Sequence, residues 1–185
     1  MKKTLLALAA TFACTLASHT ALAQSYYVGI AAGVTNQDVN CSGWSNCDKS
    51  DTGFKLYGGF KLSKAIALEL GYTDFGSASL SLGGLRGSYS ASALSAGGAF
   101  FLPLTPKLTG IGRAGLAYVD GDYSGGVFGV NGGSESGIEP YIGFGLAYAL
   151  TPKLSLTGSF DYMRADYPRG SGSARLLGLG LSYAF

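Results

Sequence analysis

The sequence predicts an all-β fold, in which eight antiparallel strands close into a transmembrane β-barrel. Three observations predict it. Hydrophobic residues make up 47% of the chain and charged residues only 13%, a balance unlike that of a soluble domain. No apolar run after the N-terminal export-type segment approaches the ~20 residues that a membrane helix needs. Segments of about ten residues instead alternate apolar residues with small or polar ones, as a strand does with one face in lipid and the other in a lumen. An apolar, charge-poor chain without a membrane helix has one other way to satisfy its backbone in lipid, a closed barrel.

The N-terminus is set aside before the strands are read. Met1-Lys2-Lys3 is a basic start, Leu5 to Ala17 is apolar, and Ala21-Leu22-Ala23 has the small-x-small form of a signal-peptidase site. Residues 1–23 are therefore expected to be a cleaved signal peptide, with residues 24–185 forming one outer-membrane barrel domain of a Gram-negative-type cell. Thr11-Phe12-Ala13 is a poor lipobox, which argues against acylation at Cys14. Losing Lys2 and Lys3 takes the basic count from 13 to 11, against 11 acids. The processed chain is then neutral and gives no reason to expect nucleic acid as a partner.

Eight segments carry the alternation, each with an outward row at every second residue. The first runs from Tyr26 to Val34 and the second from Phe54 to Leu62. The third runs from Ile66 to Tyr72, the fourth from Leu94 to Leu102, and the fifth from Leu108 to Tyr118. The sixth runs from Ile138 to Tyr148, the seventh from Leu154 to Tyr162, and the eighth holds Leu177, Leu179, Leu181, Tyr183 and Phe185. None of the outward positions is charged. Lys55, Lys61, Glu69, Arg113, Glu139 and Asp161 all take the opposite parity. A basic side chain on the lipid face near the midplane costs ~2–4 kcal/mol, which gives this segregation its cause. Gly97-Gly98 blurs the fourth segment and is read as a bend.

The connections alternate in length. Leu62-Ser63-Lys64, Leu104-Thr105-Pro106-Lys107-Leu108 and Leu150-Thr151-Pro152-Lys153-Leu154 are short, and proline suits such a turn by fixing φ. The other four, at about 35–52, 76–87, 120–137 and 164–173, are longer and polar. Short turns belong to the periplasm and long loops to the outside, so both termini are expected in the periplasm. The last strand must pair with the first, around Tyr26–Val34, because an open edge leaves backbone groups unsatisfied in lipid.

The stretch Leu177-Gly-Leu-Gly-Leu-Ser-Tyr-Ala-Phe185 resembles the C-terminal strand of the OmpA-like transmembrane barrels. Residues 65–75 and 108–118 resemble that family's third and fifth strands. The resemblance covers the whole processed chain and implies an OmpA/OmpX-like barrel. It implies that Leu177, Leu179, Leu181, Tyr183 and Phe185 are also the signal read by the outer-membrane assembly machinery. It implies a lumen with a charged hydrogen-bonded network, in which Glu69 and Arg113 match an acidic and a basic position, while Ala99 and Ala147 stand at two other charged sites. The resemblance stops at Phe185, without the family's soluble peptidoglycan-binding domain.

Candidate chemistry is sparse. The one histidine, His19, lies inside the signal segment, so a Ser/His arrangement is impossible and no enzyme is expected. Gly110-Ile-Gly-Arg-Ala-Gly115 fits a dinucleotide motif but lies inside a strand pattern and opens no helix, so no cofactor is expected. Asp120, Asp122 and Glu135 in the third long connection could face Ca²⁺, although scattered loop acids usually bind nothing. Cys41 and Cys47 are expected to be disulfide-bonded in the first long connection, since export makes the bond available. Trp44, between them, either packs on its loop or serves as a contact residue. Arg164, Arg169 and Arg175 suit lipopolysaccharide phosphates, as ordinary loop solvation also would. An eight-stranded barrel has just enough interior for side chains, so the Glu69–Arg113 pair is expected to plug the lumen. The expected function is a monomeric, structural and surface-interacting barrel whose partners are outer-membrane lipid, lipopolysaccharide, the assembly machinery and a host or surface ligand at the loops. A narrow porin-like channel is the alternative.

Overall fold

The computed structural model describes residues 26–37, 46–48, 50–82, 85–124, 133–167 and 170–185. Its strands are β1 (Tyr26–Gln37), β2 (Asn46–Asp48), β3 (Ser50–Lys61), β4 (Ile66–Leu82), β5 (Leu85–Pro103), β6 (Leu108–Ser124), β7 (Gly133–Ala149), β8 (Leu154–Tyr167) and β9 (Gly170–Ala184). The hydrogen-bonded order β4-β3-β1-β9-β8-β7-β6-β5 closes on itself through a β4–β5 pairing. Eight strands thus make the barrel, and every neighbouring pair is antiparallel. The seam is β1 against β9, in register from Tyr27↔Ala184 to Gln37↔Ala174. The short β2 lies within the first expected loop and pairs with the outer part of β4.

The alternation places the side chains as the sequence requires. Leu70, Leu94, Ile138 and Leu179, all from the outward rows, are 60–70% exposed, while Ala67, Ala117, Ala174 and Leu176 of the opposite parity are fully buried. That exposed apolar surface is the lipid-facing wall. Aromatic rings mark both of its rims: Tyr26 against Phe60 (4.9 Å) and Tyr183 against Phe185 (5.2 Å) at the turn end, Phe54 against Tyr72 (5.9 Å) at the other. Such girdles sit at headgroup level.

Three features differ from the expectation. The strands run past the apolar rows: β4, β6 and β7 have 17 residues and β5 has 19, where ~9–11 cross a bilayer. The β4–β5 ladder continues to Leu82↔Leu85, so most of residues 76–87 is a hairpin stem and not a loop. Asp120 and Asp122 likewise belong to β6, opposite Ser136 and Ser134. Beyond the membrane no lipid enforces an apolar outer face, so a strand can carry polar residues there while its hydrogen bonds persist. The third difference is the bend expected at Gly97-Gly98. The β5–β6 register runs unshifted from Ser88↔Ser124 to Pro103↔Thr109. Gly97 instead allows close approach, because a Cβ there would collide with the Ala114 carbonyl. The irregularity lies on the neighbouring strand, where the register shifts between Asp74 and Ser77 and Gly76 has φ +69°. This is a β-bulge with glycine in the left-handed region.

Side chains lock the bulge. Asp51 accepts from the Ser77 N–H (2.7 Å) and the Thr52 N–H (2.8 Å), and Asp74 accepts from the Gly76 N–H (2.8 Å). The Thr35 hydroxyl donates to the Phe75 carbonyl at 2.7 Å, and Gln37 Nε2 donates there too at 3.2 Å. The expected Cys41–Cys47 bond, Trp44 and Arg169 fall outside the described residues or depend on ones that do.

Candidate functional site

The lumen is filled in three layers. Toward the long-hairpin end lies an apolar layer containing Phe75, Val119, Met163 and Leu176. Toward the turn end lies a second, of Tyr27, Tyr57, Ala67 and Ala99, with Phe101 and Ala184 packed against it. Between them is a charged layer, which is the candidate site.

Glu69 and Arg113 meet in it. Arg113 Nε donates to Glu69 Oε1 at 2.8 Å, and the Tyr27 hydroxyl donates to Glu69 Oε2 at 2.9 Å. Both side chains are less than 10% exposed. Register explains the meeting. Glu69 on β4 lies opposite Gly97 on β5, and Arg113 on β6 lies opposite Ala99 on β5. The strand between them therefore presents only a glycine and an alanine, and the two long side chains close over it. The alanine that the family resemblance set at a charged position is part of what lets this pair form.

A second ion pair was not paired by sequence reasoning. Lys55 Nζ donates to Asp161 Oδ1 and to the Tyr141 hydroxyl, both at 2.7 Å, and that hydroxyl donates to Asp161 Oδ1 at 2.5 Å. Lys55 and Asp161 are essentially inaccessible. Both take the inward parity, but β3 and β8 are separated by β1 and β9, so the contact spans the lumen. Tyr57 joins the two pairs, with Arg113 Cζ 5.0 Å and Lys55 Nζ 5.4 Å from its ring centroid, inside cation–π range.

The tyrosines are held by glycines. Tyr27 lies opposite Gly59 and Tyr57 opposite Gly29 across the β1–β3 ladder. A Cβ on either glycine would strike the facing ring. Each ring thus lies flat over a bare stretch of the partner strand, and the two rings meet edge to face at 6.3 Å. The charged layer is neutral: two cations, two anions, each pair hydrogen-bonded. Pairing meets the main condition for keeping charge out of water, while Arg113 Nη1 and Asp161 Oδ2 have no hydrogen-bond partner among the described residues. Among the described residues no three His, Cys, Asp or Glu side chains gather as a metal site would require.

The C-terminal row sits outside this layer. Leu177, Leu179, Leu181, Tyr183 and Phe185 all face lipid, and the Phe185 N–H donates to the Tyr26 carbonyl at 3.0 Å, closing the seam at its last residue. Arg164 and Arg175 are exposed on the outward parity beyond the apolar rows, with Arg175 Cζ 5.8 Å from the Tyr162 ring.

A closed eight-stranded barrel with an apolar outer wall, aromatic rims and a neutralised charged interior is an integral outer-membrane β-barrel. The chain belongs to the OmpA-like transmembrane domain family, whose model matches residues 21–185. Among solved structures it is similar to Neisserial surface protein A, with 15% identity over 88% of this chain and 99% of that one, at a TM-score of 0.62. It is also similar to Ail of Yersinia pestis (18% identity, 85% and 98% coverage, TM-score 0.53). A third likeness is to OprG of Pseudomonas aeruginosa (12% identity, 88% and 97% coverage, TM-score 0.55). At these identities the likeness concerns the fold. There is no match among curated protein sequences.

Proposed function

We propose that this protein is a structural barrel of the outer membrane that displays its long hairpins at the cell surface and does not conduct through its lumen. In this reading the signal peptide is cut after Ala23. The three short turns and both termini lie in the periplasm, and the C-terminal row serves as the assembly signal. Outer-membrane lipid and lipopolysaccharide are its surroundings, and no catalytic role is included. The observation that carries the reading is the charged layer. Lys55–Asp161 spans the lumen between β3 and β8, Arg113–Glu69 closes over β5, and apolar layers cap both sides. With the interior filled, what remains to act is the wall and the hairpin stems that pass beyond it.

The test is single-channel recording of refolded protein in planar bilayers. No conductance above the protein-free bilayer is expected. Steady, ion-selective openings would replace this reading with the narrow channel.

A further inference from the structure

The three short turns repeat one design around the whole barrel. In each, a Ser or Thr hydroxyl accepts the N–H groups two and three residues on: Ser63 from Ala65 and Ile66, Thr105 from Lys107 and Leu108, Thr151 from Lys153 and Leu154. Each turn is then tied to the next hairpin, through Phe101 N–H to Ala65 O, Ala149 N–H to Lys107 O and Ala184 N–H to Lys153 O, all at 2.8 Å. Each turn opens with an exposed leucine of the lipid-facing parity (Leu62, Leu104 and Leu150), and each carries an exposed lysine: Lys64, Lys107 and Lys153.

Among the described residues the turn end also lacks acidic side chains. Lys61 adds a fourth cation in its mouth, over the Phe101 ring at 5.5 Å. None of the four lysines has a carboxylate within ion-pair distance among the described residues, and the turns and strand ends there contain no Asp or Glu. The nearest acid in sequence, Glu69, points inward and is bound to Arg113. The acids Asp51, Asp74, Asp120 and Asp122 lie at the opposite end.

We infer that Lys64, Lys107 and Lys153 form a headgroup-binding ring that recruits anionic phospholipid to the leaflet at the turn end. The turns fall one to every two strands, at β3–β4, β5–β6 and β7–β8, so the charge is spread around the circumference. The remaining interval is the β9–β1 seam. A partner protein would meet one side of such a ring, whereas a lipid annulus meets all of it. The leucine beside each lysine fixes its height: the leucine enters the acyl region, the lysine stem lies along that apolar surface, and its ammonium reaches the phosphate level. The girdle of Tyr26, Phe60, Tyr183 and Phe185 marks the same level. The inference rests on the orientation proposed above, which makes this the periplasmic leaflet.

The test is native mass spectrometry of the protein released from nanodiscs of equal phosphatidylglycerol and phosphatidylethanolamine. Wild type is compared with K64Q/K107Q/K153Q and K64R/K107R/K153R, each first shown to be folded by heat-dependent gel mobility. Wild type and the arginine variant are expected to retain phosphatidylglycerol preferentially, and the glutamine variant to lose about fivefold of that preference, the ratio that ~1 kcal/mol per lysine near an anionic surface represents. Equal retention by wild type and the glutamine variant, or no preference in wild type, overturns the inference. Orientation is read separately, by labelling intact and permeabilised cells with a membrane-impermeant amine reagent. Modification of Lys107 and Lys153 in intact cells would overturn the periplasmic assignment without touching the nanodisc result. Capture of an acidic protein by wild type, with no lipid preference, would assign the ring to that protein instead.

Discussion

Glu69 and Arg113 provide the most direct test of the charged layer. Glu69→Ala strips Arg113 Nε of its acceptor and leaves the Tyr27 hydroxyl without one. A guanidinium is then stranded between apolar layers at 3% side-chain exposure. Arg113→Ala leaves a carboxylate at 7% exposure with a single tyrosine donor. At such exposures solvent screening gives little relief, and each single loss is expected to cost ~3–5 kcal/mol. The double variant removes both charges together. What remains is a cavity and the unpaired Tyr27 hydroxyl, worth ~1–3 kcal/mol, so it should lie well short of the summed single losses. A coupling energy of ~3 kcal/mol or more is expected, at the upper end of the ~0.5–3 kcal/mol found for side chains in contact. Urea unfolding of refolded protein in lipid vesicles, followed by gel mobility and tyrosine fluorescence, measures all four corners of the cycle. Tyr27→Phe in each background separates the hydroxyl from the charges. Strictly additive losses would mean that the two groups are separately solvated, and the filled-lumen argument would lose its support.

Other outcomes follow from single contacts. Gly97→Ala places a Cβ against the Ala114 carbonyl and should cost ~1–3 kcal/mol, whereas Gly112→Ala meets nothing within 4 Å and should be neutral or stabilising by up to ~1 kcal/mol; equal effects in vesicle unfolding would contradict the β5–β6 register. The Ser77 and Thr52 N–H groups hold the Asp51 carboxyl below its usual range. A lowered carboxyl stabilises the folded state above its unfolded pKa of about 3.9 and loses that contribution as pH falls through the folded value. The bulge should therefore stay protected down past that pH, and a Ser77 amide titrating in NMR at or above 3.9 would remove Asp51 from the lock. Cys41→Ser should leave assembly intact while loosening the first connection by ~2 kcal/mol of chain entropy, and mass spectrometry of fresh protein that finds two free thiols would rule out the bond. Deleting Phe185 removes one seam hydrogen bond and, if this strand is the assembly signal, should lower surface protein in cells far more than it weakens refolded protein; normal surface levels would leave the row a purely structural role.

The parts of the fold that touch lipid were legible because lipid enforces them. A residue such as Leu179 or Ile142 must be apolar, and its neighbours Gly178 and Gly143 face a narrow interior, so the period of two survives in the letters themselves. The short turns were legible for the same reason: Thr105-Pro106-Lys107 interrupts the period sharply. Outside the bilayer that enforcement ends. Residues 77–82 and 85–90 pair across a long hairpin. Ser77, Ser79 and Ser81 do alternate with Ala78, Leu80 and Leu82, but the serines and the Gly83-Gly84 pair give the stretch a composition that reads as a loop. The bulge at Gly76 was hidden for a related reason. Asp74 is local to it, but its other determinants, Asp51, Thr35 and Gln37, are each more than 20 residues away in sequence, and no local pattern announces those.

The candidate site divides along a different line. Parity identified every inward charge, and the register of adjacent strands was enough to bring Glu69 toward Arg113, two strands away with Gly97 and Ala99 between. Lys55 and Asp161 are three strands apart around the wall and meet only across the lumen. Their relative height depends on how far each strand is staggered against the next, which accumulates around the barrel and which no single hairpin reveals. Charge balance carries the missing information. Of the six inward charges, Lys61 lies at the turn end, and Glu139 lies on the hairpin side of Tyr141, whose hydroxyl belongs to the charged layer. That leaves two cations and two anions for the confined middle. An unpaired ion there would be costly, so once Glu69 is assigned to Arg113, Lys55 has one partner left to take, and it is Asp161.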